Sequence, residues 1–431
     1  MSGCWTTGSG ALRCLSQQQG VCPPVVCDRA PLVRGDDCVV GRGPDGTTCH
    51  FEGGTWLTAT IERKSARQVS KVDRFLTFIR IFLVSLIVIG VLAFIAQQVA
   101  PDNPFARWRN PDAVGLTGDQ FKGLLMSGLS QGAMYGLIAL GYSMVYGVLG
   151  FINFAHGEVF MAGAMTGFIA SDKFSANGLW ESNFLLSLVI IIVLAIMVST
   201  LTAVLMERVA YRPLRESPRL IPLITSIGVS FFIQNAVMGV FGPSTKSYPQ
   251  LPQWLSKQRS ILTFEIAGTK LLVLLVAAMS MAGLWYLVER TRTGKAMRAV
   301  AEDKEIAALM GINVNRTIVT TFAVGGAMAG IAGILWGLLF RSVTHMTGFL
   351  PGIKAFTAAV VGGIGNLPGA MIGGISLGSA ESIAPLVILE PLGVPGVSQL
   401  KDAVAFTVLV LVLLFKPSGL FGEQLSAEDR A

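Results

Sequence analysis

From residue 75 onward the chain alternates long apolar blocks with short polar or charged segments. The pattern predicts helical spans at about Phe75–Gln98, Gln120–Leu149, Val159–Ala170, Phe184–Met206, Leu220–Phe241, Lys270–Val288 and Thr317–Phe340. Three further pieces follow at Ile353–Ile364, Gly369–Leu386 and Ala403–Phe415. Most of these blocks approach or exceed the roughly 20 apolar residues that cross a bilayer as a helix. The shorter ones read as broken or re-entrant. The expected fold class is therefore an all-α polytopic membrane protein with about nine or ten transmembrane segments.

Charge placement orients the spans. Arg208, Arg212, Arg215 and Arg219 crowd one short loop, and Arg290, Arg292, Lys295 and Arg298 open another two crossings later. A third basic group, Lys64, Arg67, Lys71 and Arg74, precedes the first span. Basic residues near spans stay on the cytoplasmic side, and all three groups fall on one face by parity. Both chain ends are then expected in the cytoplasm of a bacterial-type plasma membrane. Net charge is +7, but its cations flank spans, so topology explains them better than nucleic acid does. Apolar residues make up 52% of the chain, and 49 glycines suit close helix packing in lipid.

All six cysteines lie in the first 49 residues, with spacings that match no zinc pattern. That stretch lacks the apolar core of a signal peptide and shows no sustained period. The expected division is a disordered cytoplasmic extension over 1–74, an added span and external loop over 75–119, a permease domain over 120–422, and a tail over 423–431. A start of translation nearer the first span is an alternative reading of the extension.

Three segments carry candidate function. Gly150-Phe-Ile-Asn-Phe-Ala-His-Gly-Glu158 places Asn153, His156, Gly157 and Glu158 at a membrane boundary beside helix-breaking glycines. They could form a gate or path element, or a re-entrant turn with Glu158 at the positive end of the next helix. Gly365 and Asn366 interrupt the second broken region, Gly352–Ala370, in the manner of discontinuous helices that line a path. The third segment, Glu289–Arg316, is charged and helix-forming, with Met297, Val300, Ile306, Leu309 and Met310 as apolar contacts. Gly311 can close its last helix in a left-handed turn. It reads as a docking surface or as a basic loop that binds nothing.

Taken together, NFAHGE, TRTGKAMRAVAEDKEIAALMGIN, GIKAFTAAVVGGIGNLPGAMIGG and LLFKPSGLFG resemble the LivH-type permease of branched-chain amino acid ABC importers. The likeness runs from about Phe121 to Gly422, in order and spacing. Glu305-Ile-Ala307 and Gly311 resemble the loop with which such permeases engage their ATPases. The resemblance implies a coupling segment containing Lys295, Arg298, Glu302, Asp303, Glu305, Ala307 and Gly311. It also implies a second, LivM-type permease subunit, two cytoplasmic ABC ATPases and an extracytoplasmic solute-binding protein. No catalytic residue, metal or resident cofactor is expected, because ATP would be bound by the partner ATPases. Gly294-Lys295 lacks the remaining residues of a nucleotide-binding loop.

Urea, short amides or another small polar solute are alternative cargoes within that class. An ion-coupled secondary transporter is the alternative from another class. It would bury ionisable residues near the midplane, and the spans show almost none, Glu381 being the best exception. A membrane-anchored redox or metal protein would have to use the cysteine segment.

Overall fold

The computed structural model describes residues 81, 83–95 and 118–422, apart from 216, 219, 262–263, 392–395 and 417, together with short stretches before residue 59. The contacts divide the chain into two units, Met1–Ile79 with Leu425–Ala431, and Arg80–Gln424. In the first unit, β1 (Cys4–Thr6) pairs antiparallel with β2 (Leu12–Cys14). A three-stranded sheet joins β3 (Val39–Gly43), β4 (Gly46–His50) and β5 (Trp56–Thr58). The remainder of the stretch expected to be disordered lies outside the described residues.

The second unit is helical. Its helices are α1 (Leu83–Ile95), α2 (Gly118–Leu149), α3 (His156–Ala176), α4 (Phe184–Met206), α5 (Leu220–Phe241) and α6 (Gly268–Arg290). After them come α7 (Arg292–Glu302), α8 (Lys304–Leu309), α9 (Val314–Phe340), α10 (Phe349–Gly362), α11 (Leu367–Ala384) and α12 (Lys401–Phe415). Each of the ten expected spans contains a helix. Among the described residues, six helices are long and apolar enough to cross a membrane unaided. This is a multi-pass membrane protein.

Small residues set the core. Gly128, Gly132 and Gly136 recur every fourth residue on α2 and face α11. A Cβ on Gly132 would lie 2.8 Å from the Gly374 carbonyl oxygen and 2.8 Å from Ile375 Cα. The two backbones therefore touch, the arrangement small-residue stripes permit in lipid. By contrast, α4 turns Leu185, Val189, Val193, Met197, Leu201 and Leu205 outward along one stripe, with Leu186, Ile190 and Val198 exposed beside it. That stripe meets lipid or another apolar chain. Away from the α7–α8 segment, β6 (Lys246–Ser247) pairs with β9 (Ser342–Val343), and β7 (Gln258–Ile261) pairs with β8 (Phe264–Ala267).

Candidate coupling surface and membrane path

The charged segment folds into two short helices because each start is capped. Thr291 Oγ1 accepts from Gly294 N–H at 3.2 Å and opens α7. Asp303 Oδ1 accepts from Glu305 N–H at 2.7 Å and Ile306 N–H at 3.0 Å and opens α8. Asn313 Oδ1 does the same for α9 through Arg316 N–H at 3.0 Å. Such caps satisfy amides that a helix cannot pair internally. Gly311 closes the segment at φ 82°, the left-handed conformation anticipated for it.

The apolar residues of this segment divide between two faces. Met297, Val300 and Ala307 are buried against the bundle, so they anchor the segment rather than present it. Ile306, Leu309 and Met310 are 60%, 86% and 77% exposed, and Glu302, Asp303 and Glu305 are exposed around them. Lys295 is also exposed, and Arg298 pairs with Glu289 back at the end of α6. A small cleft of about 70 Å³ opens behind α7, between Met297, Arg298 and Ala301 on one side and Ser143, Val148 and Gly365 on the other.

Asn153, His156, Gly157 and Glu158 come together inside the bundle. The chain re-enters after α2: the His156 ring packs against Gly141 on α2 and Gly325 on α9 and meets Tyr142 edge-on at 4.9 Å. Asn153 Oδ1 accepts from Tyr211 OH at 2.6 Å and from Ala155 N–H at 3.1 Å. Glu158 Oε1 accepts from Gln234 Nε2 at 2.7 Å and Ser230 Oγ at 3.1 Å on α5. A Cβ on Gly348 would lie 2.6 Å from Glu158 Oε2, which places this carboxylate beside the N-terminus of α10 as well as in the first turn of α3. Two positive helix ends thus face one buried carboxyl group.

Gly365 and Asn366 sit apart from that cluster, at the turn between α10 and α11. Asn366 Oδ1 accepts from Gly369 N–H at 3.0 Å, and its Nδ2 donates to the Phe421 carbonyl at 2.9 Å. Leu420 and Phe421 N–H donate to the carbonyls of Val361 and Gly362. The C-terminal strap therefore closes over the broken hairpin, and Gly365 N–H donates to Ser143 Oγ at 3.3 Å.

A further polar group joins four helices. Lys354 Nζ on α10 lies 2.6 Å from Glu381 Oε1 on α11 and 2.6 Å from Asp402 Oδ1 on α12. From α2, Gln131 Nε2 donates to Glu381 Oε1 at 3.3 Å and to Tyr135 OH at 2.6 Å.

The profile described as "Branched-chain amino acid transport system / permease component" matches residues 124–413. The chain belongs to this permease family. The permease is 44% identical over 300 residues to the high-affinity branched-chain amino acid transport system permease protein BraD of Pseudomonas aeruginosa. It is 41% identical over 300 residues to the corresponding protein LivH of Escherichia coli. Each alignment covers 69% of the permease and 94% of the relative. The probable branched-chain amino acid transport permease protein LivH of Methanocaldococcus jannaschii is 27% identical, over 66% of the permease and 88% of its own length.

The expectation that the spans hold almost no ionisable residues is corrected by the structure. Lys354, Glu158, His156 and Glu207 are buried in the permease along with Glu381. Glu207, at the end of α4, pairs with Arg215, whose guanidinium also meets Asn315. Lys354 and Glu381 pair across 27 residues, and Glu158 accepts from Ser230 and Gln234 more than 70 residues away, contacts that a one-dimensional count of apolar blocks does not register. For Lys354, the signal available was a lone lysine inside the apolar run 352–364.

Proposed function

We propose that this permease is a membrane subunit of an ATP-driven importer of branched-chain amino acids. In this reading α7 and α8 dock on cytoplasmic ATPase subunits, a second LivM-type permease completes the membrane part, and an extracytoplasmic binding protein delivers leucine, isoleucine or valine. ATP is hydrolysed by the partners. The single observation that carries the reading is the exposed Ile306–Leu309–Met310 patch, ringed by Glu302, Asp303 and Glu305, on a segment capped at both ends and anchored from beneath. A projecting apolar patch with a charged rim is the form of an interaction surface. The amino-acid cargo is supported by the names of the relatives. The α7–α8 side is cytoplasmic by the positive-inside rule.

The discontinuous helix starts at His156 and Phe349 line the substrate route, with Glu158 between them. Reconstitution in liposomes tests the assignment. ATP should drive accumulation of leucine, isoleucine and valine only when ATPases and binding protein are both present, and urea or short amides should not compete. ATP-independent uptake driven by a proton or sodium gradient would overturn it in favour of a secondary carrier.

A further inference from the structure

The cleft behind α7 has a floor and a rim of opposite character. Met144 and Val148 of α2, Val288 of α6 and Met297 of α7 form the floor, and all four are buried. The two hydroxyls beside them are already engaged. Thr321 Oγ1 donates to the Thr317 carbonyl at 2.9 Å, and Ser143 Oγ accepts from Gly365 N–H at 3.3 Å. Water in such a place finds few partners, and an apolar group that displaces it gains affinity. The space of about 70 Å³ equals roughly two waters' share of the liquid, at ~30 Å³ each, and half the ~150 Å³ of an apolar cavity that accepts benzene. It suits a branched alkyl group of three or four carbons.

At the rim the chemistry changes. Arg298 lines the cleft and pairs through Nη1 with Glu289, the residue after Val288. The two side chains are 44% and 43% exposed. An ion pair this exposed holds its members weakly, and a guanidinium has five donors to share among acceptors. A cation and an anion side by side at the mouth of an apolar slot match an α-amino acid: carboxylate on Arg298, ammonium on Glu289, side chain in the slot. A fatty acid would leave Glu289 unanswered, and an alkylamine would leave Arg298 so.

We propose that this cleft is a regulatory site for a branched aliphatic amino acid on the cytoplasmic side, through which the imported product slows its own uptake. The inference rests on the importer reading and adds to it a second binding site for the cargo. A side chain in the slot touches α2, α6 and α7 together, and α7 leads directly into the exposed α8 surface. A ligand holds a protein in whichever state binds it better, and this ligand binds the state in which the cleft stands open.

Full-length permease and its reconstituted complex test it. Equilibrium dialysis of radiolabelled leucine against the permease alone should show saturable binding at millimolar concentration, with glycine a poor competitor. Gly147 lines the cleft, and an added Cβ there meets nothing within 4 Å, so Gly147→Leu fills the slot from an open position. That variant should insert and melt as wild type does and lose at least fivefold in leucine binding. Arg298→Gln should lose binding to a similar degree, read on the permease alone because in the importer reading Arg298 also serves the docking segment. In proteoliposomes, leucine enclosed on the ATPase side should lower the initial uptake of labelled valine at least threefold relative to enclosed glycine, and Gly147→Leu should abolish that difference. Absence of saturable binding would overturn the proposal. Undiminished binding or inhibition in Gly147→Leu would overturn it too, by placing the internal leucine in the transport path. Should Gly147→Leu fail to insert, the Arg298→Gln binding result decides. A wild-type complex that takes up no amino acid with ATP would instead overturn the importer reading, while the dialysis result stands on its own.

Discussion

Helix spacing at the α2–α11 contact gives a prediction whose size follows from the geometry. Gly132→Ala would place a methyl group 2.8 Å from a carbonyl oxygen and 2.8 Å from Ile375 Cα, both backbone atoms. Ordinary carbon contacts lie near 3.5–4.0 Å, so the helices must part by roughly 1 Å. No side-chain rotation can relieve the clash. Overpacking of this kind costs on the order of 1–3 kcal/mol. Alanine also gains up to about 1 kcal/mol over glycine in a helix interior, which partly conceals the cost. Gly147→Ala, in the last turn of the same helix, supplies the reference: nothing lies within 4 Å of its added Cβ, and it receives at most the same gain. The difference between the two variants is therefore a lower bound on the steric term. Thermal unfolding of the purified permease in one detergent should put Gly132→Ala below Gly147→Ala by about 2 °C or less per kcal/mol, since the shift shrinks as chains grow beyond 250 residues. Equal melting temperatures would refute the close approach of α2 and α11.

Other substitutions probe the polar sites. Glu158→Gln should retain membrane abundance, because an amide oxygen can still accept from Ser230 and Gln234, whereas Glu158→Ala should lose about 1–3 kcal/mol for each buried donor left unpaired; melting of the two variants compares them. Asp303→Ala removes both cap bonds of α8 and should cost about 1 kcal/mol locally, seen as faster amide exchange over residues 304–309. Asn366→Ala cuts the side-chain tie to the C-terminal strap and should speed chymotryptic cleavage after Phe421, without changing the melting of the bundle by more than a few degrees.

The span positions were legible in the sequence because lipid imposes helix on any long apolar run. Phe184–Met206 and Leu220–Phe241 coincide with α4 and α5 at both ends. The turn at Gly311 was also legible, since a glycine after an apolar-periodic helix has few other uses. What the sequence concealed depends on long-range pairing. Lys354 and Glu381 are 27 residues apart, and Gln131 lies 250 from Glu381, so nothing local marks them as partners. The apolar residues of the α7–α8 segment show the same limit. Helical period groups Met297 and Val300 with Ile306 and Leu309, but the break at Asp303 starts a new helix with a different facing. Likewise, Asn366 could be placed at a helix interruption from sequence, while its bond to Phe421 requires the C-terminal strap to fold back.

The account turns on whether the surface of α8 engages an ATPase. Leu309→Asp and Glu305→Lys each alter that exposed surface and leave the buried anchors Met297, Val300 and Ala307 untouched. The decisive measurement is ATP hydrolysis stimulated by loaded binding protein in proteoliposomes, read together with co-purification of the ATPases. Both variants should insert at wild-type levels, lose most ATPase co-purification and lose the stimulated hydrolysis. Wild-type stimulation, with the ATPases still bound to both variants, would contradict the coupling assignment.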